Sequence, residues 1–246
     1  MARRPVRVAL TALFVGSPHV GHAQTLRDIA AWDALVVSPI GALPPRMHDE
    51  LFVGTRTPAE LSVRYGRWRY DEDDAIHNDI GLTVTHGFGA TRTDIAVTVA
   101  YLSLSCGTCS TWLSGGVEVL RPVLRHVLAG QAERETTASL GVRASAGAAR
   151  YLGNGYAAAT SLALSTPVSI AFPFVWRSRV SVSAMPGIGV GRLASTDDDA
   201  NGTLPMLGVS VAWALHSGVI MDLGIQRVFI NGGPSQFGAG LSWAAQ

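Results

Sequence analysis

Cysteine is nearly missing from this chain, with two in 246 residues. Two thiols are too few for a four-ligand zinc centre, and no histidine cluster stands ready to complete one. Charge is also scarce. Charged residues make up 15% of the chain, against about 25% in ordinary soluble domains. The net charge is +1, which gives no electrostatic case for a nucleic-acid partner. Long apolar runs are absent as well. Past the N-terminus no stretch of 18 apolar residues occurs, so no transmembrane helix is encoded. Yet 48% of the residues are hydrophobic, and they must therefore be dispersed in some other pattern.

That pattern has a period of two, clearest from Arg179 to Arg192. Val180, Val182, Ala184, Pro186, Ile188 and Val190 alternate with Ser181, Ser183, Met185, Gly187, Gly189 and Gly191. One face of such a strand is wholly apolar and the other mostly Ser and Gly. The stretch is long for a globular strand and suits a bilayer crossing, which takes about 9–11 tilted residues. The even positions are expected to face lipid and the odd ones the interior. Pro186 cannot donate to a ladder, so a bulge or kink is expected beside it at Gly187.

The same alternation recurs along the chain. Leu61, Val63 and Tyr65 share one parity, as do Ile80, Leu82 and Val84, then Ile95, Val97 and Val99. Leu113, Val117 and Val119 open a fourth strand, with a long connection expected from Arg121 to Glu135. A fifth carries Val142 and Ala144, and a sixth runs from Tyr156 through Leu164 and onward to Phe172. Three more follow the Arg179 strand, ending on Phe237, Ala239, Leu241 and Trp243. The fold class expected is all-β: an antiparallel up-and-down transmembrane β-barrel of about ten strands, with eight or twelve as the neighbouring even numbers.

Connections alternate in character. Asp71–Asp74, Cys106–Cys109, Gly153–Gly155, Ser195–Thr203 and Asn231–Gly233 are acidic or rich in Gly and Asn; those between them carry Arg92, Arg121, Arg134, Arg177 and His216. Up-and-down topology puts the two kinds at opposite ends. Tyr65, Trp68, Tyr70, Tyr101, Trp112, Tyr156, Trp213 and Trp243 lie near strand ends, as interfacial girdles require.

The chain divides into three parts. Residues 1–23 read as a secretory signal: Arg3, Arg4 and Arg7, then the apolar Val8–Gly16, then Gly21-His22-Ala23 as the cleavage site. Residues 24–57, broken by Pro39, Pro44 and Pro45, read as a periplasmic lead-in or plug. Residues 58–246 form the barrel. In an exported protein Cys106 and Cys109 are expected to form a local disulfide.

The export signal, the uniform alternation and the terminal FGAGLSW resemble small bacterial outer-membrane β-barrel proteins. The resemblance implies the bacterial outer membrane as location and outer-membrane lipid as surroundings. It also implies insertion by the barrel-assembly machinery, with Trp243 as the terminal aromatic that machinery reads. It does not fix the oligomeric state.

If the apolar parity faces lipid, the lumen receives Glu60, Arg64, Asp79, Asp94, Glu118, Arg143, Arg179, Asp222 and Gln226. Charges of both signs in a narrow space are expected to pair. Two readings follow, a structural charge network or a small polar pore lined by the same groups. No cofactor or metal site is expected. Two alternative functions remain open on the residues alone. One is an enzyme acting on lipid or peptide at the outer rim, where His77 sits beside Asp73, Asp74 and Asp79. The other is adhesion through the loops. The leading reading is a structural or small-pore barrel without catalytic activity.

Overall fold

A computed structural model describes residues 59–69, 76–88, 93–105, 111–130, 134–153, 157–195, 199–215, 218–229 and 235–244. The export signal, the lead-in segment, Asp71–Asp74 and the Cys106–Cys109 pair lie outside the described residues. Eleven strands follow one another: β1 Ala59–Arg69, β2 Ile76–Phe88, β3 Thr93–Ser105, β4 Thr111–Ala129, β5 Thr136–Tyr151, β6 Ala157–Ser165, β7 Val168–Pro173, β8 Arg179–Ser195, β9 Asp199–Ala214, β10 Val219–Val228 and β11 Ser235–Ala244. Each pairs antiparallel with its neighbour, and β1 pairs with β11 to close the sheet on itself. Both β6 and β7 lie between β5 and β8. They are two halves of one crossing, so the wall has ten strand positions, as the alternation predicts.

Closure fixes the tilt. From Ser62 the register passes through Ser242, Ile220 and Ala214 to Arg179. In the other direction it passes through Thr83, Thr98, Gly116, Gly147 and Ser161 to Gly191. The two paths meet on β8 twelve residues apart, and that offset is the barrel's shear. Ten strands about 4.8 Å apart with this stagger tilt by about 40° and give a backbone radius of roughly 10 Å.

The faces fall as the period of two requires. Val182, Ile188 and Val190 are exposed on the outer surface, while Ser181, Ser183 and Met185 are buried inside. In β10 every second residue is buried, from Ile220 to Val228. A sheet whose exposed face carries Leu82, Val84, Val97, Val99, Leu162, Leu164, Val209, Val211, Leu223 and Ile225 would aggregate in water. It is matched to hydrocarbon, and it forms a band of the ~25 Å height typical of outer-membrane barrels. No helix among the described residues is long and apolar enough to cross a membrane.

An even number of crossings puts Ala59 and Ala244 at one end. The Leu215–Val219 turn at that end is tight: Gly218, with φ 81°, donates its N–H to Leu215 O at 3.1 Å. The end with the termini and tight turns is the periplasmic one in barrels of this kind. The opposite end is called the mouth below.

Four details differ from expectation. First, Arg121–Ala129 is not a connection; it is the lower half of β4, paired with β5 through two register shifts, between Pro122 and Leu124 and between Val127 and Ala129. Beyond the Asp94–Leu120 pair, β3 has ended. This half of β4 therefore projects past the wall as an exposed hairpin arm, and its two faces both meet solvent, which erased the alternation from the sequence. Arg125 and Glu135 tie the arm at 3.5 Å. Second, β8 and β9 stay paired out to Ala194 and Asp199, so the acidic connection is shorter than Ser195–Thr203. On the outer face of this stretch Arg192, Asn201 and Thr203 are exposed, so the apolar alternation no longer marks the strand. Third, Trp112 belongs to no girdle. It is 7% exposed and packs inside the mouth against Leu102, Ala149, Ala159 and Tyr151. Tyr65, Tyr101 and Trp243 do stand on the outer face.

Fourth, β8 has no bulge at Pro186: its register to β9 is unbroken. The break lies opposite instead, between β6 and β7 at Thr166-Pro167. Thr166 N–H donates to Pro186 O at 3.0 Å, and Gly141 N–H donates to Pro167 O at 2.9 Å. The edge of Pro186 that lacks a donor thus faces the one place where its neighbour strand is interrupted. Gly187, next to it, has no spare room. A Cβ there would lie 2.7 Å from Ser165 Cβ and 2.9 Å from the Leu164 carbonyl oxygen. Gly187→Ser should therefore destabilise the barrel by about 1–3 kcal/mol, the usual cost of overpacking. Urea titration of the folded fraction in lipid vesicles measures it; an unchanged midpoint would mean the strands separate easily there.

Candidate functional site

All nine polar residues assigned to the lumen do face inward. Glu60, Asp79, Asp94, Arg143, Arg179, Asp222 and Gln226 are buried, and Arg64 and Glu118 are partly so. Inward placement follows from strand parity alone; which of them meet depends on the register.

The centre of the site is Arg143 on β5, 4% exposed. Register sets Arg143 opposite Leu120 and Glu118 opposite Ser145, so the two charged residues are diagonal neighbours across β4 and β5. They form a charge-assisted hydrogen bond from Arg143 Nη2 to Glu118 Oε2. A second guanidinium nitrogen, Nη1, donates to Met185 Sδ at 3.2 Å. Met185 is on β8, beyond the β6–β7 crossing, so one side chain ties β4, β5 and β8 along one side of the wall.

Around it the lumen is lined with hydroxyls. Ser242, Ser62, Thr83 and Thr98 fall on one continuous register line. Ser242 Oγ donates to Ser62 Oγ at 2.9 Å, and Ser62 Oγ donates to Glu60 Oε1 at 2.8 Å. The Thr83 and Thr98 hydroxyls share a hydrogen bond of 2.8 Å. Ser62 and Ser242 are 0% exposed, whereas Thr98 farther along the same line is half-buried. A second line runs Ser139, Ser169, Ser183 and Ser210 across the other half of the wall.

Elsewhere the sequence-derived residues are dispersed. Asp222 leans over Gly240, the residue that separates it from Arg64 in the register; a methyl group at 240 would fall on its carboxylate. Arg64 lies between Gly81 and Gly240, which gives its long side chain space. Gln226 Nε2 donates to Met206 Sδ at 3.6 Å. Asp79 sits above Gly66 toward the mouth. Asp94 lies near the periplasmic end, opposite Gly87 and Leu120. Arg179, lower still, donates to the Glu135 carbonyl at 3.0 Å. The lumen is thus polar in its middle and apolar at one side of the mouth, where Trp112 and Tyr151 meet at 5.6 Å.

Sequence reasoning missed three components. Met185 and Met206 serve as soft acceptors for Arg143 and Gln226, a role that their apolar residue type conceals. The hydroxyl lines exist only once ten strands are aligned. The inward turn of Trp112 was signalled by its shared parity with Ser114 and Glu118. Of the rim cluster, Asp73 and Asp74 lie outside the described residues, and Asp79 points into the lumen. Among the described residues no group of three or more His, Cys, Asp or Glu could hold a metal ion.

No family model matches the chain, and no curated protein matches it. Solved structures do. The β domain of the Bordetella autotransporter BrkA is 10% identical, with 76% of this chain and 99% of that one covered and a TM-score of 0.46. The outer membrane enzyme PagL is 11% identical over 76% and 99% of the two chains, with a TM-score of 0.32. The KdgM porin, in complex with disordered oligogalacturonate, is 10% identical over 76% and 99%, also at 0.32. At these values the weight rests on the chain's own geometry: a closed tilted barrel, apolar outside and charged within.

Proposed function

We propose that the chain is a small β-barrel of the bacterial outer membrane that works as a structural barrel with a narrow polar lumen admitting small ions at most. One observation carries this reading: Arg143, buried in the lumen, is bonded to Glu118 on β4 and to Met185 on β8 and so ties one side of the wall together. A wide channel keeps its charges on the wall and its centre in water. Here a buried guanidinium is bonded inside the lumen, and serines lining the interior are sealed from solvent. In the first hydroxyl line Ser242 bonds Ser62 and Thr83 bonds Thr98. The acids described in the lumen, Glu60, Asp79, Asp94, Glu118 and Asp222, are dispersed along the barrel.

Planar-bilayer recording of refolded protein tests the reading. The wild type should give low conductance, and Arg143→Ala should raise it several-fold by removing the bonded side chain from the lumen. Wide, weakly selective openings from the wild type would overturn the proposal. Cleavage of a lipid or peptide probe by the refolded barrel would favour the enzymatic alternative.

A further inference from the structure

We propose that the lower half of β4 is a docking edge for the chain's own lead-in, with residues 50–55 adding to it as an antiparallel strand. The edge comes from the uneven floor of the barrel. β4 pairs with β3 only as far as Leu120 opposite Asp94, yet it runs on to Ala129. Below Leu120 one side of the strand is paired with β5, and among the described residues nothing pairs with the other side. A strand open on one side presents backbone N–H and C=O groups to a further strand. Register shifts between Pro122 and Leu124 and between Val127 and Ala129 leave residues 124–127 as a regular run. Leu124 is 63% exposed, more than any other large apolar residue described, and Val123, Val127 and Leu128 are exposed as well. Leu124 and Val127 differ in parity and stand on opposite faces, so lipid outside the wall covers one of them at most.

Three arguments name the occupant. The first is reach. Ala59, where β1 begins, is at the same end of the barrel as the arm. Two strand positions, about 10 Å, separate β1 from the space below β3. Residues 56–59 span about 13 Å when extended, so a strand ending at Thr55 can lie along β4 and still lead into β1. It climbs toward Ala59 while β4 descends, which makes the pairing antiparallel. The second is composition. Leu51, Phe52 and Val53 supply apolar side chains to meet those of the arm, and Pro45 and Pro58, which cannot donate to a ladder, bracket the stretch. The third is charge. Residues 121–129 carry Arg121, Arg125 and His126 and no acid. An antiparallel strand with Thr55 uppermost brings Asp49 and Glu50 down to the level of Arg125 and His126.

A second copy fits this edge poorly. Arms of two barrels related by a two-fold axis along the membrane normal cross at about 80°, twice the strand tilt, and cannot form a ladder. The docked strand keeps the lead-in beside the periplasmic opening and out of the lumen, so the inference stands apart from the reading of conduction.

The test uses the full chain refolded in nonionic detergent, with folding verified by heat-dependent gel migration. Hydrogen exchange is followed by mass spectrometry on peptides covering residues 121–129. F52P/V53P removes two donors from the added strand and should speed exchange of the arm about tenfold or more, with β9 and β10 unchanged. If that variant does not fold, cross-linking decides. In a C106S/C109S background, Phe52→Cys is combined in turn with Leu124→Cys, Arg125→Cys, His126→Cys and Val127→Cys, since facing positions of paired strands lie within disulfide reach. Oxidation should join at least one of the four pairs. Equal exchange of the arm in wild type and F52P/V53P, or no disulfide in any pair, would overturn the proposal. So would faster exchange confined to β9 and β10, which would put the segment inside the barrel as a plug.

Discussion

Leu223→Arg should cost about 2–4 kcal/mol of barrel stability, the value for a cation near the bilayer midplane. Leu223 is midway along the ten-residue β10, 54% exposed on the outer face and flanked by Val211 and Ala239. Among the strand residues with described side chains no acid stands on the outer face to pair with an arginine here, and its nearest water lies at either end of the apolar band. Gly224, next in sequence, points the other way. Refolding titrations into lipid vesicles measure the loss, and equal tolerance of arginine at 223 and at the outward, mouth-end position 227 would mean that the apolar face is not in hydrocarbon.

Arg143→Ala should have an effect of similar size for the opposite reason. The arginine is buried and its loss leaves the Glu118 carboxylate inside without its cation. Breaking a buried pair costs about 3–5 kcal/mol, and Glu118 is 24% exposed, so a smaller loss of about 2–3 kcal/mol is expected after allowing for water at that carboxylate. The double substitution Glu118→Leu with Arg143→Leu removes both charges and should recover most of the stability, since a buried pair and an apolar isostere are often close in energy. Denaturant midpoints of the two variants in vesicles decide it. A double variant as unstable as Arg143→Ala would show that the arginine acts through Met185 packing and not through the charge pair.

The two substitutions differ in how far the sequence alone foresees them. Leu223→Arg needs only the parity of β10, because a strand in a two-faced sheet has no choice about which residues share a side. The fold class, the number of crossings, the inward set from Glu60 to Gln226 and the continuation of the sixth crossing to Phe172 were legible for that reason. The alternation fails as a signal wherever both faces of a strand meet the same medium, as in the β4 arm from Arg121 to Ala129, or where the outer face turns polar, as at the start of β9 at Asp199. That is why both looked like connections. It also fails to locate distortion: the proline at 186 was visible, but the interruption it needs is in the neighbouring strand at Thr166-Pro167.

Pairing lay beyond the sequence altogether. Parity puts Arg143, Arg64, Asp222 and Glu118 in one lumen, yet only the twelve-residue shear sets Glu118 diagonal to Arg143 and holds Met185 within reach on β8. The same offset aligns Ser242, Ser62, Thr83 and Thr98 into a line and gathers Arg67, Arg69 and Arg227 around Ser235. Side-chain periodicity is a local property of one strand, set by its backbone and solvent. Register is a property of closure, since ten strands must return to their starting point, and no single stretch of chain carries that condition.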